Sequence, residues 1–183
     1  MAWKHLSSLI MTGLVVLMTI PLGCRRGQQA GPGEVFSMGS QVRVGSLTYQ
    51  VIDADWRDSL DTATGPRQPK NRYLMLNVTV TNNGNEDAGV PLMALIDSKG
   101  TENLEERKGD GVPQWLGYLR VLAPGTSQSG YVLFDAPAES YKMRVSSGGE
   151  PDKEQTALIE IPFKIDQPAV KEETSLPPAA EVK

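Results

Sequence analysis

Four aspartates, Asp53, Asp55, Asp58 and Asp61, crowd one stretch of this chain, and Glu102, Glu105, Glu106 and Asp110 crowd another. Carboxylate oxygens grouped in this way can hold calcium, and a facing pair can flank a glycosidic bond. The first spacing departs from a calcium-binding helix-loop-helix, because Arg57 falls at the fifth place of the loop and Thr64 at the twelfth. The second group is interrupted by Arg107 and Lys108, so charge pairing on a solvated loop accounts for it. The only histidine is His5 and the only cysteine is Cys24. Downstream of them no imidazole or thiol is left for a zinc site or for Ser-His or Cys-His catalysis. No nucleophile elbow, phosphate loop or dinucleotide fingerprint occurs. The expectation is therefore a protein that is not an enzyme, with no cofactor and no committed metal site. Calcium or small-ligand sensing by the Asp53–Asp61 stretch is the alternative.

Trp56 and Arg57 lie in the first acidic stretch, and Trp115 and Tyr118 follow the second. Exposed aromatics bury large areas at low side-chain entropy, which suits binding. These four are the candidate binding residues, set against the plainer reading of a tryptophan as core. Met75, Met93 and Met143 are spread along the chain and read as gap fillers.

The elements that would carry these residues are strands. From Arg72 to Asn82 the chain reads RYLMLNVTVTN. Leu74, Leu76, Val78 and Val80 alternate with Tyr73, Met75, Asn77, Thr79 and Thr81, which predicts a half-buried strand. Asn82 to Asn85 turns it back. Val42–Val44 and Leu47–Val51 alternate as an opening pair, whereas 53–70 loses the pattern and reads as a long exposed loop. An edge or bulged strand is expected within 87–98 because of Pro91. A second loop follows at 101–114, with one helical turn at 104–108, and then a strand over 115–122. Strands over 130–135, 141–145 and 158–165 close the domain, the last with Ile159, Ile161 and Phe163 on one face. About eight strands in residues 41–165 predict an all-β, antiparallel β-sandwich. Eighteen Gly and thirteen Pro among 183 residues agree with many short strands.

The ends differ from the middle. Lys4 and His5 precede an apolar run from Leu9 to Ile20, too short to span a bilayer comfortably but suited to a signal peptide over 1–23. Pro21-Leu22-Gly23-Cys24 resembles a lipobox, which implies that the Cys24 thiol carries lipid and that the membrane is a partner. Residues 24–40 read as a flexible tether, and 166–183, rich in Pro, Ala and charge, as a disordered tail. The formal net charge of −4 argues against nucleic acid.

Gly39 and Val42, Tyr49-Gln50-Val51, the stretch from Tyr73 to Gly84, Leu95-Ile96-Asp97-Ser98-Lys99-Gly100, Leu122-Ala123-Pro124-Gly125 with Gly130, and Val132-Leu133-Phe134-Asp135-Ala136-Pro137 together resemble an uncharacterised domain of bacterial lipoproteins and secreted proteins. That group is similar in fold to a small mycobacterial immunoprotective extracellular antigen. The resemblance implies an immunoglobulin-like sandwich and export, and brings no catalytic residues. The functional expectation is a lipid-anchored module of the bacterial cell envelope, facing the periplasm or the exterior. It would contact an envelope protein, still unknown, through an edge strand or the loops at 53–70 and 101–114.

Overall fold

Alternation predicts one continuous strand from Arg72 to Asn82, and the computed structural model has it, eleven residues long, with Leu74, Leu76, Val78 and Val80 all buried. The structure describes residues 28–31, 33–150 and 152–163. The expected signal at 1–23, Cys24 and the tail at 166–183 lie outside the described residues. In chain order the strands are β1 (Gln28–Gln29), β2 (Val35–Ser37), β3 (Val42–Val44), β4 (Leu47–Arg57), β5 (Leu60–Thr62), β6 (Gly65–Arg67), β7 (Arg72–Asn82), β8 (Ala88–Val90), β9 (Ala94–Ile96), β10 (Glu102–Leu104), β11 (Arg120–Leu122), β12 (Ser127–Ala136), β13 (Tyr141–Ser146) and β14 (Thr156–Ile161).

Two five-stranded sheets form the sandwich, ordered β1-β3-β4-β7-β12 and β10-β9-β13-β14-β2. Their facing sides meet in one core that includes Tyr49, Leu74, Leu76, Phe134, Met143, Ile159 and Ile161. Burying each such side chain stabilises the fold by about 1.5–3 kcal/mol. Tyr49 keeps its hydroxyl satisfied there by donating to the Ser146 carbonyl, 2.7 Å away. Burial pushes this phenol far above its usual pKa.

The described residues hold more strands than the eight expected, and the first two come from the predicted tether. β1 adds to β3 and β2 adds to β14, each in parallel, and Phe36 enters the core. The apolar Val35-Phe36 pair inside a Gly- and Gln-rich stretch is the physical reason. The expected strand at 87–98 is two strands: β8 pairs with β11 in a small ribbon, and β9 joins the second sheet after the chain passes Pro91.

Neither long loop is the exposed excursion expected. β4 continues to Arg57 with a register shift between Val51 and Asp53, and β5 and β6 then form a hairpin. No helical turn occurs at 104–108. Instead the connection from Glu105 to Leu119 folds over the outer face of the first sheet. Glu106 N–H donates to Leu133 O (2.7 Å), Leu116 N–H to Tyr131 O (3.0 Å), and Tyr131 N–H to Gln114 O (3.0 Å). Of the strand expected at 115–122, only a Trp115–Tyr131 bridge and β11 form. The close approach requires a glycine at 130, where a Cβ would stand 2.3 Å from Gln114 O. A second apolar cluster results: Leu60, Tyr73, Met75, Val112 and Leu133, with Trp115 and Tyr131 against it. The first part of β7 is thus buried on both faces.

This connection also carries Glu105 inside, where it meets Arg120. Both side chains are 1% exposed, and Arg120 Nη2 donates to both carboxylate oxygens. Met93 N–H donates to Glu105 Oε1 at 3.0 Å and Glu105 N–H to Met93 O at 3.2 Å, which ties the connection to the second sheet. Burial raises the Glu105 pKa, opposed by the Arg120 charge.

Breaking such a buried pair from one side costs about 3–5 kcal/mol, because the other charge is stranded. Arg120→Met alone and Glu105→Gln alone should each lower the urea midpoint markedly, and the Arg120→Met/Glu105→Leu double variant should lose less than the sum. Additive losses would show that the two charges are not coupled. Leu76→Ala should cost about 2–5 kcal/mol, whereas Thr79→Ala, on the outer face of the same strand, should change stability by less than about 1 kcal/mol.

Candidate functional site

The acids singled out by sequence are pulled apart by arginines. Asp55 pairs with Arg57 at 2.6 Å, and Asp58 with Arg72 at 2.8 Å. Glu106 pairs with Arg67 at 2.6 Å, Glu102 with Arg144 across the second sheet, and Glu105 with buried Arg120. Among the described residues no group of three or more His, Cys, Asp or Glu is placed to hold a metal ion. The calcium alternative therefore lacks a cluster there, since β4 and the β5 hairpin string the four aspartates out along extended chain.

The four candidate binding residues do not form one surface. Trp56 points from β4 to the inner side and packs with the main core. Its ring lies 6.5 Å from Tyr141 and 5.7 Å, edge-on, from Phe163, which is partly exposed and not core as its alternation suggested. Trp56 Nε1 is buried without a hydrogen-bond partner. Arg57 is exposed and occupied by Asp55. Trp115 covers the second cluster on the opposite side of the first sheet, so close over Gly109 that a Cβ there would lie 2.0 Å from its ring. Tyr118 lies beneath Arg107, whose guanidinium is 5.8 Å from the ring centre. Both tryptophans thus serve packing, the plainer of the two readings.

A concave surface lies elsewhere, on the outer face of the second sheet. Register places Ile96, Lys142, Glu160 and Ser37 in one line across β9, β13, β14 and β2, and Ala94, Arg144, Leu158 and Val35 in the next. The turn at 97–100 rises on one side, and Met38, Tyr141 and Pro162 close the other, around a groove of about 910 Å³. Asp97 shapes the turn: its Oδ1 accepts the N–H groups of Thr101 (2.7 Å) and Lys99 (2.8 Å). These bonds, Thr101 first, hold its carboxyl below the usual carboxylate range. Tyr141 donates its hydroxyl to Pro137 O at 2.7 Å and turns its ring inward against Trp56 in the core.

Ile96 and Leu158 supply an apolar floor, and Lys142 and Glu160 supply opposite charges that face each other across β13 and β14, with no ion pair to a third group among the described residues. Such a floor with a few polar groups suits an extended or side-chain ligand. The sequence did carry a signal for it. Val35, Ile96 and Leu158 are apolar on the outward phase of three strands, but one apolar residue per strand is too little to recognise before the strands are set side by side.

A family model for a domain of unknown function (DUF4352) matches residues 36–156. No curated protein matches in sequence. Among solved structures, the yjhA protein of Bacillus subtilis is 15% identical with a TM-score of 0.52, over 69% of this chain and 98% of that one. A secreted protein of Mycobacterium tuberculosis, MPT63, is 15% identical with a TM-score of 0.51, over 72% of this chain and 100% of that one. A proposed lipoprotein of Bacillus subtilis, ycdA, is 16% identical with a TM-score of 0.51, over 67% of this chain and 38% of that one. At these identities the likeness is one of fold, an all-β sandwich, as the resemblance implied. With its match running from Phe36 in β2 to Thr156 at the start of β14, the chain belongs to the DUF4352 family of domains of unknown function.

Proposed function

We propose that this chain is a lipid-anchored, non-catalytic interaction module of the bacterial cell envelope, held by Cys24 and contacting another envelope protein through the groove on the second sheet. The groove is the observation that carries the reading. It combines an apolar floor with two complementary charges beside the turn at 97–100. The edge-strand route has less room. β12, the long edge of the first sheet, already gives Tyr131 and Leu133 to the 105–119 connection. A non-catalytic role is supported by the state of the acids. Asp55, Asp58, Glu102, Glu105 and Glu106 each hold an arginine, and Asp97 accepts the N–H groups of its own turn. The secreted and lipoprotein descriptions of MPT63 and ycdA agree with an envelope location facing the periplasm or the exterior.

A photo-crosslinking amino acid at Leu158, in cells of the source organism, should capture a discrete envelope protein. The same group at Thr79, on the polar outer face of the first sheet, should not, and Lys142→Glu should reduce the Leu158 adduct. Equal adducts from both positions, or none from Leu158, would sink the groove reading. The dispersed aspartates predict in addition that millimolar calcium leaves Tm unchanged. A rise in Tm by mass action on the folded state would restore the calcium-sensing alternative.

A further inference from the structure

The small ribbon of β8 and β11 has one face in the core and one outside, and the outer face is apolar where polar residues would be expected. Arg120 and Leu122 of β11 are buried, and Val90 and Leu122 belong to the main core. Leu119, just before the strand, and Val121 alternate with them and are 90% and 68% exposed, the highest values among the exposed large hydrophobic residues described. An antiparallel pair with one face in water ordinarily puts polar side chains there. A single exposed apolar residue needs no account, whereas two successive outward positions make a stripe.

Opposite Val121 in register stands Gly89. The fold does not require a glycine at this position. Gly89 is not among the residues with positive φ, a Cβ built on it would meet nothing within 4 Å among the described residues, and the ribbon's register runs without a shift, so no bulge explains it. A strand glycine that its own chain does not need marks a place where another chain comes close. Here it leaves a notch beside Val121.

The two ends of the stripe carry opposite charge. At one end the Arg107 guanidinium lies 5.8 Å from the ring centre of Tyr118, the residue before Leu119. At the other, Asn82 Nδ2 donates to Leu122 O (2.9 Å) and to Glu86 O (2.8 Å), and Ala88 pairs with Leu122, so the exposed Glu86 and Asp87 lie where β11 ends. A stripe that is basic at one end and acidic at the other complements itself turned end for end, which is the condition for an isologous contact.

We propose that the outer face of the β8–β11 ribbon is a contact with a second copy of this chain, related by a two-fold axis that crosses the strands at the level of Arg120. Leu119 of each copy then covers Val121 of the other and enters the notch at Gly89, and Arg107 of each faces Glu86 and Asp87 of the other. The stripe is small beside the about 800 Å² that each partner gives to a stable interface, so the contact is a transient one. None of these residues lines the groove on the second sheet, so the two surfaces are separate.

The test uses the full chain in cells of the source organism, present as two copies with different epitope tags and with a photo-crosslinking amino acid at Leu119 of one. An adduct bearing both tags is expected, and the same group at Thr79 should give none. Gly89→Val, which the open space at that position accommodates, should leave Tm unchanged and lower the adduct by about tenfold, because the notch is filled. Arg107→Glu should lower it several-fold, and reversing the other end as well, with Glu86→Lys and Asp87→Lys, should restore it. These charge reversals change exposed side chains and so test the contact independently of folding. An adduct with a different protein alone, equal adducts from Leu119 and Thr79, or no adduct at all would overturn the self-contact. A charge reversal that its counterpart does not restore would overturn it too.

Discussion

β7 has to be covered on both faces, and the rest of the molecule is arranged around that requirement. Leu74, Leu76, Val78 and Val80 face the second sheet, while Tyr73 and Met75 face the other way and are buried as well. A two-layer sandwich shields only one side of such a strand. The other side needs a third piece of chain, which the β5 hairpin and the 105–119 connection supply through Leu60, Val112 and Trp115.

Bringing that third piece down has an electrostatic consequence. The connection is dense in charge, and it can lie on an apolar face only if its charges find partners. Arg67 takes Glu106 and lies over the Tyr73 ring, and Arg120 takes Glu105 in the interior. Asp135 accepts Lys70 N–H and Asn71 N–H, at 2.6 and 2.8 Å, and fixes the approach to β7. Two of the acids that looked like candidate chemistry, Glu105 and Glu106, are thus the fastening of a cover. The same demand explains why Trp115 is spent on packing.

The proposed recognition falls on the face that no other described element covers. The outer side of the second sheet keeps Ile96 and Leu158 partly open, with Lys142 and Glu160 between them. The first sheet's outer side is instead closed by the connection at one end and self-paired at the other, where Thr79 meets Ser129 and Thr81 meets Ser127, each at 2.7 Å. Hydroxyls that satisfy one another offer little to a partner. The N-terminal residues add one strand to the edge of each sheet, β1 beside β3 and β2 beside β14.

Local chemistry alone determined the strand character of the chain. Alternation at 47–51, 72–82 and 141–145, with turn residues after Asn82 and at Pro124-Gly125, specifies an all-β sandwich because side-chain period and turn preference are properties of short segments. The lack of histidine after residue 5 likewise removed whole classes of catalysis without reference to any fold. Tertiary structure decided the rest. Whether Glu105 is a solvated loop acid or a buried ion depends on Arg120, fifteen positions away, and whether Val35-Phe36 belongs to a tether or to a core depends on β14, far along the chain. The groove exists only once β2, β9, β13 and β14 lie side by side. Each of these outcomes is set by a contact between distant segments, and such contacts leave no periodic trace in either segment alone.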